Sequence, residues 1–198
     1  MTTTPIGERF ARFLSGTSAV RFGDFTLKSG KKSNVFFNLG EIFVGNELIE
    51  LGRYYAEFMK SHDLHQCDIL FGPAYKGINI AIATSIALYQ EYGIFSPFVY
   101  NRKTAKTHAE GGLFVGADLA LAKNVVVLDD VITDGGTKHE VIDMLSGFPG
   151  LEISAFIVGV DRQEVDADGK PCIRAFEEAA GIPVYALTNR DEVLRFKA

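Results

Sequence analysis

A chain of 198 residues that is 47% apolar and 23% charged suits one sizeable domain with a real core, and excludes a disordered polymer. Its formal net charge of −5 argues against a general nucleic-acid or membrane-surface binder, so any anionic ligand must be held by a local basic cluster. Only two cysteines occur, Cys67 and Cys172, and their separation suggests neither a disulfide framework nor a zinc site. The N-terminus carries no basic n-region and no apolar h-region. No uncharged apolar run approaches the roughly 18 residues of a membrane span, and a cytoplasmic location is expected.

Residues 5–15 read as an amphipathic helix with Phe10, Phe13 and Leu14 on one face. Val20–Asn38 changes character: short apolar runs at Asp24–Leu27 and Val35–Asn38 are joined by Lys28-Ser29-Gly30-Lys31-Lys32, which predicts a small antiparallel unit. The adjacent aromatics Phe36 and Phe37 then point to opposite faces of a strand, one packing inward and the other free to line a pocket. With Lys28 nearby, that pocket suits a flat, anionic heterocycle; two core phenylalanines in a hairpin are the plainer reading. Asn46 is placed to cap a helix reaching about Lys60, with Leu48, Leu51, Tyr55, Phe58 and Met59 as its buried stripe.

From there strand and helix alternate. Asp68–Phe71 predicts a strand, Gly72-Pro73-Ala74-Tyr75-Lys76-Gly77 a tight loop and Ile78–Gln90 an apolar helix. Gly72, Pro73 and Gly77 supply the turn, and Lys76 offers a point charge to a diphosphate. Pro97–Tyr100 is a further strand, followed by a charged segment over Asn101–Gly112. That segment gathers Arg102, Lys103, Lys106 and His108 before a Gly111-Gly112 hinge, as suits a lid closing over a polyanion.

Asn124–Glu140 organises the rest. Val125–Leu128 is an apolar, β-branched run expected of a parallel strand buried on both faces. Asp129 and Asp130 stand where that strand should end. Thr133, Asp134, Gly135, Gly136 and Thr137 form a small polar loop whose backbone can approach a ligand. Val141, Ile142 and Leu145 follow at helical spacing. Strand, loop and helix N-terminus together make an anion site, through unpaired N–H groups and the helix dipole. The loop is neither a Walker-type P-loop nor Gly-x-Gly-x-x-Gly. Carboxylates beside a phosphate repel it unless they face another part of the same ligand. Vicinal ribose hydroxyls, or a magnesium ion bound to them, meet that need, and a ribose 5-phosphate fits.

Ile153–Val160 is another strand, and Arg162 just beyond it could pair with a substrate carboxylate; a surface ion pair with Asp161 or Glu164 is the alternative. A turn at Asp166–Gly169, a helix over Ile173–Ala180, a strand at Val184–Leu187 and a terminal helix at Asp191–Phe196 complete the chain. Repeated β-α units predict an α/β fold, a parallel sheet flanked by helices. Its ligands bind at the carboxyl ends of the strands, where Gly72–Gly77, Asn101–Gly112 and Asp129–Thr137 should meet.

The segment around Asp129 and Asp130 resembles the phosphoribosyl-pyrophosphate (PRPP) motif of type I phosphoribosyltransferases. It departs from many relatives in having Gly136 before Thr137, which leaves open the hydroxyl that meets the 5-phosphate. The set Phe25-Thr-Leu-Lys-Ser-Gly, Val35-Phe-Phe-Asn, Phe71-Gly-Pro-Ala-Tyr-Lys-Gly, Asn101-Arg-Lys-x-x-Lys-x-His-x-Glu-Gly, Leu128-Asp-Asp-Val-Ile-Thr and Asp161-Arg-Gln-Glu resembles the orotate phosphoribosyltransferase family.

The resemblance implies a single domain over residues 1–198, with an N-terminal helix and hood to about 45 and a core thereafter. It implies transfer of ribose 5-phosphate from PRPP to orotate in pyrimidine biosynthesis, with magnesium bound mainly through PRPP and with Asp129 and Asp130 as its candidate protein contacts. It places Lys28, Tyr75, Lys76, Arg102, Lys103, Lys106, His108 and the run Asp129, Asp130, Val131, Ile132, Thr133, Asp134, Gly135, Gly136 and Thr137 on PRPP. Lys106, His108, Asp129 and Asp130 are the catalytic candidates. Lys28, Phe36, Phe37, Thr133 and Arg162 fall on orotate. It further implies a homodimer whose basic loop, Arg102–Gly112, reaches the neighbouring site. A transferase for another base, or a non-catalytic PRPP-binding regulator, would share the PRPP motif but need not keep the basic loop.

Overall fold

A computed structural model describes residues 4–26, 30, 32–106, 112–132 and 136–197, without the side chains of residues 105, 106, 136 and 137. The first helix, α1 (Ile6–Ser15), buries Phe10, Ala11 and Leu14 and leaves Phe13 at the margin of the core. β1 (Val20–Thr26) and β2 (Lys32–Phe37) pair antiparallel as a separate two-stranded sheet. α2 (Gly45–Ser61) buries Leu51, Tyr55, Phe58 and Met59 as its spacing predicts. Its start differs from expectation: Val44 precedes the first helical residue with no side-chain cap, and Asn46 lies inside the first turn.

The alternating part follows: β3 (Ile69–Gly72), α3 (Lys76–Tyr92), β4 (Phe98–Lys106), β5 (Gly112–Gly116), β6 (Asn124–Ile132), α4 (Gly136–Leu145), β7 (Glu152–Asp161), α5 (Cys172–Ala180), β8 (Val184–Asn189) and α6 (Arg190–Leu194). Six strands form one sheet in the order β5-β4-β3-β6-β7-β8, parallel except for β5 at one edge. The apolar run of β6 is buried on both faces because the side-chain period of a strand is two. Val126 and Leu128 join the core under α1, α2 and α3, while Val125 and Val127 join the core under α4 and α5.

Two expectations about strand length are corrected. β6 does not stop at Leu128 but runs on to Ile132, so both carboxylates lie within it, paired to β7 through Asp129↔Val158 and Val131↔Val160. The segment after Tyr100 is not wholly a loop either. β4 continues to Lys106 and β5 returns from Gly112, with Tyr100 opposite Val115 and Asn101 opposite Phe114. Leu113, Phe114 and Val115 supply strand-forming side chains, and an edge ribbon tolerates the charges on its partner. Among the described residues no helix is long and apolar enough to cross a membrane.

Candidate active site

β3, β4, β6 and β7 are parallel, so their carboxyl ends share one rim of the sheet. On β6 the alternation of faces continues into the acidic pair. Asp130 turns toward α3, where Lys76, the first residue of that helix, sits 2.6 Å away. Asp129 turns the other way, toward α4, and meets the ammonium of Lys138 at 2.6 Å. Each carboxylate is thus met by a lysine from the first turn of the helix covering its own face. Asp129, Asp130 and Lys138 are each about 5–6% exposed, whereas the Lys76 side chain is 42% exposed. Burial, reinforced by the Asp129 charge, holds the Asp130 carboxyl above the usual carboxylate range, against the opposing pull of Lys76 and Lys138.

Backbone contacts set the height of this strand end. The buried Tyr55 hydroxyl of α2 donates to the Asp129 carbonyl at 2.8 Å. Burial raises that phenol well above its ordinary pKa, so it remains a donor. The Asp130 N–H donates to Asp129 Oδ1 at 2.9 Å. Across the rim, the Ala74 N–H donates to Oδ1 of buried Asn101 at 2.9 Å, tying the turn between β3 and α3 to β4; that turn is shorter than the predicted Gly72–Gly77 loop, because Gly72 ends the strand and Lys76 already opens the helix. The Ala74–Tyr75 peptide in that loop is cis. Gly77 lets α3 approach β6 closely: a Cβ there would lie 2.7 Å from the Leu128 carbonyl oxygen.

The basic ribbon is partly engaged with itself. Arg102 donates to the carbonyls of Gly112 at 3.1 Å and Phe114 at 3.2 Å, fastening β4 to β5. Lys103 lies over the exposed ring of Tyr75, 5.9 Å from its centroid, so the ribbon meets the turn that leads into α3. In the hairpin the two adjacent aromatics separate as their alternation requires. Phe37 is buried in the core, while Phe36 is exposed beside Phe25 with centroids 5.6 Å apart. Arg162, beyond β7, forms an ion pair with Glu164 at 2.6 Å, the alternative open in the sequence.

Lys28, His108, Thr133, Asp134 and Gly135 lie outside the described residues, as do the side chains of Lys106, Gly136 and Thr137. Val131 and Ile132 are on β6, and Gly136 and Thr137 open α4. Sequence reasoning missed Lys138, Tyr55 and Asn101 as contributors to the rim. Lys138 carried the one usable signal: a lysine in the first turn of a helix is unfavourable to the dipole, which asks for a nearby carboxylate.

A parallel sheet with an antiparallel edge, an acidic pair at its carboxyl rim and a hairpin apart from it is the architecture of the type I phosphoribosyltransferases. No family model matches the chain. Known proteins do. It is 41% identical over 187 residues to the orotate phosphoribosyltransferase of Pseudomonas fluorescens strain SBW25, covering 94% of this chain and 86% of that one. To the orotate phosphoribosyltransferase of Methylococcus capsulatus it is 42% identical over 180 residues, covering 91% and 83%. The crystal structure of the Francisella tularensis orotate phosphoribosyltransferase superposes with a TM-score of 0.80 at 36% identity, over 95% of this chain and 89% of that one. The chain belongs to the orotate phosphoribosyltransferase family.

Proposed function

We propose that the chain transfers ribose 5-phosphate from PRPP to N1 of orotate, giving orotidine 5′-monophosphate and pyrophosphate in pyrimidine biosynthesis. The observation that carries this reading is the lysine-matched acidic pair on β6, just ahead of the start of α4, in a chain of this family. The C1–O bond to pyrophosphate breaks, the leaving group takes the electron pair, and N1 forms the new bond to C1 as its proton is lost. Such a step needs charge placed in advance more than a covalent nucleophile.

Asp130 takes the ribose hydroxyls, since both Asp129 oxygens are already engaged, by Lys138 and by the Asp130 N–H. Lys76, half-exposed beside Asp130, turns its charge to the diphosphate. Thr133–Thr137 holds the 5-phosphate, and Arg102, Lys103, Lys106 and His108 answer the charge growing on pyrophosphate. Phe36 stacks the base, with Lys28 and Thr133 beside it and Phe37 behind. Arg162 leaves Glu164 to pair with the orotate carboxylate. Among the described residues no three His, Cys, Asp or Glu side chains gather to cage a metal. A magnesium ion would be held mainly by substrate oxygens and water, with Asp130 within reach of it, and would neutralise the diphosphate.

The active form is a homodimer in which the Arg102–Gly112 segment serves the neighbouring site. Support comes from apolar side chains standing exposed on and beside α2 and α3, among them Phe43, Ile49, Ile86, Tyr89 and Phe95. The direct test of the reaction is incubation with PRPP, magnesium and orotate. Orotidine 5′-monophosphate and pyrophosphate should appear in equal amounts, stop with a chelator and resume with added magnesium. PRPP consumed only with a purine would assign the chain a different base.

A further inference from the structure

Arg162 follows directly on Asp161, the last residue of β7, which is flanked by Ile132 of β6 and Asn189 of β8. The next residue, Gln163, takes a left-handed backbone with φ 54°. A residue with a Cβ stays in that region only where its surroundings hold it. Two hydrogen bonds do so here. The Gln163 N–H donates to Asp161 Oδ1 at 2.7 Å, and Gln163 Oε1 accepts the Asp191 N–H at 3.0 Å. Asp191 is the second residue of α6, and that helix is capped by the Asn189 side chain. Its first residue, Arg190, donates to Asn34 Oδ1 of β2 at 2.8 Å. Asn34 stands two residues before Phe36, on the same face of that strand. The start of α6 therefore holds both the hairpin that carries Phe36 and the corner that carries Arg162.

The reversal at Gln163 brings Arg162 and Glu164 together, with charged groups 2.6 Å apart and both side chains only 16% exposed. The Glu164 oxygen facing Arg162 is buried yet accepts no aligned hydrogen bond. The contact is thus charge against charge, and it leaves the guanidinium fork to be satisfied by a planar carboxylate. The Glu164 carbonyl accepts the Cys172 N–H at 2.9 Å, which pins the far side of the corner. Bidentate pairing demands a fixed guanidinium, and Gln163 is the side chain that ties this corner to the neighbouring helix.

We propose that Gln163 is a positioning residue for base recognition: by fastening the Asp161–Glu164 corner to α6, it sets where Arg162 stands. The inference rests on Arg162 meeting the orotate carboxylate, as proposed above. Its test compares the KM for orotate, the ratio of kcat/KM for orotate to that for uracil, which lacks the carboxylate, and PRPP binding by calorimetry.

Gln163→Met keeps the length of the side chain and removes the acceptor. It should raise the KM for orotate about tenfold or more and lower the orotate-to-uracil ratio, with PRPP affinity within about twofold of wild type. Gln163→Glu keeps an acceptor oxygen and should recover most of the loss. In an Arg162→Ala background, Gln163→Met should cost little more, the non-additivity of two groups acting through one contact. Gln163→Gly suits the left-handed backbone and lacks the same acceptor, so it must show the same split should Gln163→Met not fold. An unchanged orotate KM in the folded variants, or an equal loss for orotate, uracil and PRPP, would overturn the positioning role. If Arg162→Ala abolishes the preference for orotate while Gln163→Met leaves it intact, only the role of Gln163 fails. If Arg162→Ala itself leaves the preference unchanged, the assignment of Arg162 fails and the role of Gln163 with it.

Discussion

Asp130 shows at the scale of one residue how this site is set against stability. Its carboxyl is buried beside Asp129, and burial outweighs Lys76 in raising its pKa. A raised pKa means the folded state holds the proton more tightly than the unfolded chain does. Stability is therefore greatest below the ordinary aspartate range and is lost as pH rises through the elevated folded value. Asp130→Asn removes that titration. The variant should melt at a higher temperature than wild type at neutral pH, with the difference shrinking on acidification, while turnover falls by orders of magnitude. A lower melting temperature at neutral pH would mean that pairing with Lys76 outweighs burial. Asp130 and Lys76 were both legible in the sequence as residues of the rim, but not as partners of each other. Lys138 was not singled out at all, because its contact nine residues back joins a helix to the strand before it and leaves no periodic trace.

At the scale of elements, α3 is the piece that must be seated closely. Lys76 opens it and Gly77 is its second residue, so the position of the lysine depends on how near the helix comes to β6. A methyl group at Gly77 would press on the Leu128 carbonyl oxygen and on the Pro73 ring. Gly77→Ala should destabilise the fold by about 1–3 kcal/mol, as overpacking does. Denaturant titration measures this, and PRPP binding should weaken because Lys76 is displaced from Asp130. An unchanged midpoint would show that the helix shifts freely.

The order of strands and helices after α2 was legible because buried strands flanked by glycine and proline alternate with longer apolar helices. β5 was not. Gly112–Gly116 is a short edge strand, and the charges before it outweigh its three apolar residues in any reading by pattern. The end of β6 was misplaced for a related reason: two aspartates look like a strand's end, and only the lysines on either face let the strand continue through them.

At the scale of the whole molecule, the exposed apolar side chains of α2 and α3 and the basic β4–β5 ribbon belong to one question, whether two chains complete each other's sites. Mixing Lys106→Ala with Asp130→Asn under conditions of subunit exchange answers it. Random pairing makes half the dimers mixed, each with one intact site, so activity should recover to about a quarter of wild type. No recovery above either parent, with exchange demonstrated, would confine Lys106 to its own chain. The central claim, transfer to orotate, is tested most directly by the ratio of kcat/KM for orotate to that for uracil at saturating PRPP. Uracil is orotate without its carboxylate, the group assigned to Arg162. The account predicts a preference for orotate on the order of 10²–10³-fold or more, the discrimination expected of a charged site left unpaired by the wrong substrate. Equal use of the two bases, or a preference for uracil, would contradict it.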